Sequence, residues 1–203
     1  RWPFVPEELT VVDGAMDALD RIAQVVIRLG DRVIVEHPTF PPLLDLLEKI
    51  GADVIGVEVD AEGMNVEALT AALEQKPMAL FLQPRAQNPT GITMTAQRAK
   101  HIADAIVASG HSESITIIED DHAGDIAVGE LNSIGNYLPT RTVHIRSYSK
   151  SHGPDLRLAA VGGAGDVISA AANRRLLGPG WSSRILQAVL LELLDDQATL
   201  ESL

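Results

Sequence analysis

Apolar residues recur along the chain with two different periods, and stretches of the two kinds alternate. Six stretches have apolar residues three and four positions apart and predict amphipathic helices: residues 14–29, 40–50, 65–75, 95–109, 166–177 and 182–203. Six shorter runs rich in Val, Ile and Leu predict strands: residues 32–36, 53–59, 78–83, 114–119, 142–147 and 157–162. Asn65 and Thr95 stand where helix N-caps are expected. Helices alternating with strands predict an α/β fold, in which a mostly parallel sheet carries helices on both faces.

Polar segments follow three of the predicted strands. They occupy residues 83–91, 120–122 and 147–150. In open α/β sheets, ligands bind at the carboxyl ends of the strands, so we expect these segments to meet at one edge of the sheet and form a binding site. The glycine-rich string at residues 162–165 lacks the spacing of a dinucleotide-binding motif and is predicted to be a turn.

Composition narrows the class of protein. The 203 residues are 46% hydrophobic, enough for one substantial core, and only 3% aromatic. A net charge of -12 argues against nucleic-acid binding by this segment. The absence of cysteine excludes disulfides and thiolate zinc sites. No apolar run of about 18 residues predicts a membrane span, so a cytoplasmic protein is expected.

One lysine stands in a segment suited to bind a carbonyl compound that carries a phosphate. Lys150 follows a predicted strand, Ser147 and Ser149 precede it closely, and Arg157 lies seven residues further on. A lysine amine can form a Schiff base with a carbonyl group, and hydroxyls with a guanidinium can hold a phosphate. An isolated lysine is more often a solvated surface group.

Two further strings precede this segment in the chain, Asn88-Pro89-Thr90-Gly91 and Ile117-Ile118-Glu119-Asp120-Asp121. In this order, the three segments resemble those of fold-type I pyridoxal-phosphate enzymes, specifically the class I/II aminotransferases. The resemblance runs from about Gly14 to about Gly163 and corresponds to the large, cofactor-binding domain of that family. It implies pyridoxal 5′-phosphate as cofactor, an amino acid or amine as ligand, and a homodimer.

The resemblance assigns roles around the pyridine ring of the cofactor. Lys150 would form the Schiff base and then move the proton at the substrate α-carbon, and Asp120 would pair with the protonated ring nitrogen. Asn88 would hydrogen-bond the phenolic O3′, and Phe40 would stack on the ring. Since side chains alternate along a strand, only one of Asp120 and Asp121 should face the cofactor, and the family pattern favours Asp120.

The phosphate end of the cofactor is assigned to a second group of residues. The turn that opens the first predicted helix would offer backbone N–H groups, and Asp13 beside it adds an unfavourable negative charge. Hydroxyls and the guanidinium would complete the phosphate site. The residues assigned to the phosphate are Gly14, Ala15, Met16, Ser147, Ser149 and Arg157.

His122 departs from the family pattern. The family usually has a tyrosine at this place, whose hydroxyl also reaches O3′; a histidine can donate a hydrogen bond from one ring nitrogen, and it can equally be structural. His101, His111 and His144 show no ligand spacing and are predicted to be surface or structural residues. The acidic residues near Asp120 lack the spacing of a calcium loop, so no metal site is predicted.

Within the family, two segments look particularly like those of MocR-type regulators: Ile118-Glu119-Asp120-Asp121 and the segment from Ser149-Lys150 through Pro154 to Arg157. In these regulators, an aminotransferase-like domain is joined to a GntR-type winged helix. Three hypotheses stand: an aminotransferase that moves amino groups between an amino acid and a 2-oxo acid, a regulatory sensor that binds the same cofactor with little or no turnover, and a remnant that has lost the cofactor. We expect residues 1–203 to be a fragment without its N-terminal segment and C-terminal small domain. DNA binding would be possible through the N-terminal part.

Overall fold

The computed structural model describes residues 2–110 and 112–202; His111 lies outside these ranges, together with Arg1 and Leu203. The strands are β1 (Glu8–Val12), β2 (Arg32–His37), β3 (Asp53–Asp60), β4 (Gly63–Met64), β5 (Ala79–Leu82), β6 (Thr116–Asp121), β7 (Thr142–Ser147) and β8 (Ala159–Gly163). The helices are α1 (Ala15–Val26), α2 (Pro41–Ile50), α3 (Val66–Leu73), α4 (Ala96–Ala108), α5 (Gly165–Arg174), α6 (Arg184–Asp195) and α7 (Gln197–Ser202).

The strands form one eight-stranded sheet in the order β1-β8-β7-β6-β5-β2-β3-β4. The central strands β3, β2, β5, β6 and β7 are parallel, whereas β8 runs antiparallel between β7 and β1. Because β1 and β8 are also antiparallel, β1 points in the same direction as the central strands. The carboxyl end of β1 and the amino end of β8 therefore lie at the same sheet edge as the carboxyl ends of β5, β6 and β7.

Helices cover both faces of the sheet, and each face has its own apolar core. On one face α1, α2 and α5 pack against side chains such as Val35, Phe81 and Ile145. On the other face α3 and α4 pack against side chains such as Leu80 and Ile117. The predicted α/β fold with a mostly parallel sheet is confirmed. None of the helices in the described residues is long and apolar enough to cross a lipid bilayer.

Local signals set several helix ends as predicted. The side chain of Asn65 accepts from the N–H of Ala68 over 2.9 Å and that of Thr95 from the N–H of Arg98 over 3.0 Å, so both residues cap their helices. The helical stretch predicted over residues 182–203 is confirmed for α6 and α7, but it is not one continuous helix. Asp196 is extended and accepts from the N–H of Thr199 over 2.8 Å, which ends α6 and starts α7.

The turn predicted at residues 162–165 was wrong. Gly162 and Gly163 continue β8, and Gly165 begins α5. A Cβ at Gly163 would collide with the backbone of Thr142 on β7, and one at Gly162 would lie 2.7 Å from the ring of Trp2. The lack of a side chain at Gly162 and Gly163 therefore allows Trp2 and β7 to pack closely against β8. Strands β1 and β4 were not predicted.

Candidate functional site

A cavity of about 190 Å³ lies at the carboxyl ends of the central strands, on the face that α1 covers. Every predicted site residue except Gly14 lines it, and Gly14 packs against the guanidinium of Arg157 at its border. The lining residues are Ala15, Met16, Leu19, Phe40, Gln83, Asn88, Asp120, His122, Ser147, Ser149, Lys150 and Arg157. The structure thus brings together side chains that are separated by up to about 140 residues of sequence.

Strand register explains why these side chains meet. Leu82 pairs with Glu119 across β5 and β6, so the following residues, Gln83 and Asp120, stand side by side. Ile118 belongs to the core on the α1 face, and Asp120, two residues on, projects to the same face. On β7, Ser147 follows the same rule two residues after Ile145.

Asp120 is the buried acid of the cavity, with 6% of its surface exposed. Its Oδ2 accepts a hydrogen bond from Nε2 of Gln83 over 2.9 Å, while its Oδ1 is buried without a partner among the described residues. Burial raises the pKa of the carboxyl above its ordinary value, although the hydrogen bond from Gln83 and the charges of His122 and Lys150 act in the opposite direction. Oδ1 is therefore a desolvated acceptor that faces a ligand site.

His122 stands next to this acid and is partly buried. Its Nδ1 is buried without a hydrogen-bond partner within residues 2–110 and 112–202. Burial lowers the pKa of the imidazole; the carboxylate of Asp120 raises it, and the charge of Lys150 lowers it. A neutral ring that carries one unused nitrogen can donate or accept one hydrogen bond inside the cavity.

Lys150 lies at the open side of the cavity and is exposed. It is close enough to Asp120 and His122 for its charge to affect the pKa of both groups. Ser149, the preceding residue, turns its Oγ inward, where the atom is buried and has no partner among the described residues. An amine at the mouth of the cavity and a hydroxyl inside it can both reach one bound molecule.

The amino end of α1 forms the cationic side of the cavity. Gly14 is the N-cap with φ 101° and ψ 170°, a conformation reserved for glycine, and no side chain within residues 2–110 and 112–202 caps the helix. The N–H groups of the first turn are thus available to an anion. A Cβ on Gly14 would lie 3.2 Å from Nη2 of Arg157, so the guanidinium sits directly against the helix end. Asp13 is partly neutralised, because Nη2 of Arg175 lies 3.6 Å from its Oδ2.

Asn88 and Phe40 close the cavity from neighbouring loops. The backbone N–H of Asn88 donates to Oε1 of Gln83 over 2.7 Å, and Nε2 of Gln87 donates to the carbonyl of Pro38 over 2.8 Å, which ties the two loops together. Phe40 precedes α2, packs against the apolar core and presents part of its ring to the cavity.

A separate ionic network occupies the opposite face of β6. Glu119 is fully buried and accepts hydrogen bonds from Ser133 Oγ (2.6 Å) and from the N–H of Ile134 (2.7 Å), and its Oε2 lies 2.9 Å from Nδ1 of His144. His144 is thus structural, as one of the two expected roles, whereas His101 is exposed. Among the described residues, no group of His, Asp and Glu could hold a metal ion.

The sequence missed two residues of the cavity. Leu19 belongs to the apolar face of α1, and helical periodicity alone could not distinguish it from other core residues. Gln83 is the first residue after β5 and belongs to the polar segment 83–91, but its contact with Asp120 depends on the β5–β6 register, which the sequence does not display.

The lining of the cavity fits a phosphorylated pyridine aldehyde. The amine of Lys150 suits the aldehyde, and Asn88 and His122 suit a phenolic oxygen. The Oδ1 of Asp120, which has no partner in the part of the chain that the structure describes, suits a protonated ring nitrogen. Arg157 and the amino end of α1 suit a phosphate. The mostly parallel α/β fold and the residues of this cavity match the class of fold-type I pyridoxal-phosphate enzymes.

Comparison with known protein families also places the chain among pyridoxal-phosphate enzymes. The model for aminotransferase class I and II matches residues 1–202, and the chain belongs to that family. Membership of the family implies pyridoxal phosphate as the cofactor.

Relatives of known sequence include both regulators and enzymes. The vitamin B6 salvage pathway transcriptional repressor PtsJ of Salmonella typhimurium is 35% identical over 194 residues, which cover 95% of this chain and 44% of the repressor. Aminotransferase swnA of Metarhizium robertsii is 30% identical over 211 residues, or 96% of this chain and 41% of that protein. The chain therefore spans less than half the length of these curated relatives.

Among solved structures, the kynurenine aminotransferase of Pyrococcus horikoshii in complex with PMP superposes with a TM-score of 0.84. The superposition covers 95% of this chain and 49% of that enzyme, with 24% sequence identity, and it supports the fold.

Proposed function

We propose that this chain binds pyridoxal 5′-phosphate covalently through Lys150 and transfers amino groups between an amino acid and a 2-oxo acid. The observation that carries this proposal is the convergence of Lys150, Asp120 and Arg157 on one cavity, where a buried carboxylate oxygen has no partner among the described residues. Such an oxygen is costly unless a ligand completes its hydrogen bonding. The homodimer implied by the family resemblance stays a prediction.

Each residue has a distinct task in this proposal. Pyridoxal phosphate, when bound, supplies an aldehyde that condenses with amines and a ring that accepts electron density from the substrate α-carbon. Asp120 would hold a proton on the ring nitrogen, because its buried Oδ1 would accept a hydrogen bond from that nitrogen. Asn88 and His122 would donate hydrogen bonds to the phenolic oxygen. Lys150 would hold the aldehyde of the cofactor and, when an amino substrate takes its place, would move the proton at the α-carbon.

The remaining residues bind and orient the cofactor. Arg157 offers a planar fork for paired hydrogen bonds to phosphate oxygens, and the first turn of α1 adds N–H groups and the positive end of the helix dipole. Ser147 and Ser149 add hydroxyls to the lining of the same cavity. Phe40 would cover one face of the ring and exclude water from it.

A second candidate function is that of a sensor domain in a MocR-type transcriptional regulator, which binds the same cofactor and an amino ligand with little or no turnover. Two observations favour it: the similarity to the repressor PtsJ and the histidine at position 122 in place of the usual tyrosine. Any DNA contact would then come from sequence outside this chain, whose net charge of -12 opposes DNA binding.

The decisive experiment adds pyridoxal phosphate to the protein, records the absorbance spectrum, reduces with borohydride and maps the labelled peptide by mass spectrometry. Label on Lys150, absent from Lys150→Ala and retained in Lys49→Ala at an exposed lysine of α2, is the expected result. A spectrum and a label that survive in Lys150→Ala would refute the assignment. Amino acids are then added to the loaded protein: release of a 2-oxo acid supports the transferase, and a spectral change without product supports the sensor.

A further inference from the structure

The amide side chain of Gln83 contacts two candidate cofactor-binding residues at once. Its Nε2 donates to Oδ2 of Asp120 over 2.9 Å, and its Oε1 accepts from the backbone N–H of Asn88 over 2.7 Å. Its own backbone N–H donates to Oε2 of Glu36 over 2.9 Å. Gln83 is only 6% exposed, so both the backbone and the amide group are held in place without help from solvent.

These contacts determine which oxygen of Asp120 remains for a ligand. With Oδ2 bound by Gln83, Oδ1 is left as the buried acceptor at the cavity. A donated N–H also favours the ionised carboxylate, against the burial that disfavours it. The same amide fixes the start of the loop that carries Asn88. One side chain thereby joins the contact for the ring nitrogen to the contact for the phenolic oxygen.

We propose that Gln83 is a positioning residue, which keeps the Asp120 carboxylate ionised and oriented toward the ring nitrogen of the cofactor and holds Asn88 in register with it. This inference rests on the proposed function, because it concerns the same cavity. A purely structural Gln83 would anchor the loop and affect folding, but it would leave the protonation of the ring nitrogen unchanged. The protonation state of that nitrogen therefore separates the two roles.

The test compares Gln83→Met with the unmodified protein and with Gln75→Met, at an exposed residue, as a matched control. Methionine keeps the length and volume of glutamine but neither donates nor accepts well. The measurements are the dissociation constant for pyridoxal phosphate and the pH at which its ¹⁵N-labelled ring nitrogen loses its proton, followed by NMR. For Gln83→Met we expect about tenfold weaker binding, as for one or two lost hydrogen bonds, and loss of the ring proton at lower pH. The control should match the unmodified protein.

The test distinguishes an error in the positioning role of Gln83 from an error in the proposed function. If the ring nitrogen of Gln83→Met titrates as in the control, the positioning role is wrong, while the proposed function stands. If the unmodified protein binds no pyridoxal phosphate, the proposed function is wrong and the inference falls with it.

A second variant decides the question if circular dichroism shows that Gln83→Met is unfolded. Gln83→Glu preserves size and polarity, and its carboxyl can donate to Asp120 only when it is protonated. Cofactor affinity in this variant should then fall more steeply with rising pH than in the unmodified protein. The same pH dependence in both proteins would overturn the inference.

Discussion

The carboxylates of Asp120 and Asp121 lie on opposite faces of the sheet although the two residues are consecutive in β6. Asp120 faces the cavity. Asp121 is fully buried on the other side, where Arg85 donates to its two oxygens over 2.9 Å each. Burial alone would raise the pKa of Asp121, but the hydrogen bond from Arg85 and the charges of His144, Arg85 and Arg146 hold it below its usual value. Asp120 is therefore available to a ligand, whereas Asp121 is paired with Arg85 inside the fold.

Replacing each aspartate by asparagine should therefore separate binding from stability. Asp121→Asn leaves the buried guanidinium of Arg85 without its counter-charge and should lower the free energy of unfolding by about 3–5 kcal/mol. Asp120→Asn removes a carboxylate whose charge is disfavoured by burial, so stability should hold, while cofactor binding weakens about tenfold or more through loss of a charged hydrogen bond. Urea unfolding of both variants measures the free energy of unfolding, and titration with pyridoxal phosphate measures the cofactor affinity. Equal losses of stability in the two variants would contradict the assignment of the two faces.

A second prediction concerns the contact of Gly14 with Arg157. Gly14→Ala places a Cβ 3.2 Å from Nη2 and forces a residue with a side chain into a glycine-only conformation. Gly30→Ala is the matched control, since Gly30 has φ 83° but, apart from its chain neighbours, no atom of the described residues lies within 4 Å of its Cβ position. Both variants should lose about 1–3 kcal/mol of stability from backbone strain. Only Gly14→Ala should also weaken the binding of pyridoxal phosphate; equal affinities in the two variants would exclude a phosphate site here.

A third prediction is a pH dependence of stability that originates at Glu36. Burial raises the pKa of this carboxyl from 4.5 to about 8, although hydrogen bonds from Gln83 and Gln87 oppose the shift. The folded protein holds the proton more tightly than the unfolded chain, so the stabilising contribution is complete below pH 4.5 and is lost as pH rises through about 8. Glu36→Gln, which resembles the protonated acid, should flatten the decline in melting temperature over this range.

Glu58→Gln provides the control for that experiment, because Glu58 is an exposed glutamate on the adjacent strand β3, where it pairs in register with His37. This variant should keep the pH dependence of the unmodified protein. A decline that persists unchanged in Glu36→Gln would show that Glu36 is not its source.

Much of the site could be predicted because its residues follow strands that the hydrophobic pattern reveals. Lys150, Asp120 and Asn88 each lie just beyond an apolar run, and parallel strands bring such positions to one sheet edge. Alternation along β6 also predicted that one of two adjacent aspartates faces the cavity. These features depend on local sequence and on the general geometry of α/β sheets.

Other features depend on long-range pairing that the sequence does not display. The contact of Gln83 with Asp120 requires the register of β5 on β6, and strand β1 forms only by pairing with β8, about 150 residues further along the chain. Gly163 looked like a turn residue because its close approach to Thr142 becomes visible only when β7 and β8 are adjacent. Local chemistry was thus accessible from the sequence, whereas packing between distant strands was not.

The last prediction concerns His122, which stands where the family usually has a tyrosine. Its buried Nδ1 has no partner among the described residues, so a hydrogen bond to the cofactor would satisfy it. His122→Phe removes this group and should weaken pyridoxal-phosphate binding about 2- to 12-fold, which corresponds to a hydrogen bond worth about 0.5–1.5 kcal/mol. His122→Tyr restores a donor and should regain part of the affinity. His101→Phe, at an exposed position on α4, should bind as the unmodified protein does. If His122→Phe also binds normally, the histidine is structural and the phenolic oxygen depends on Asn88 alone.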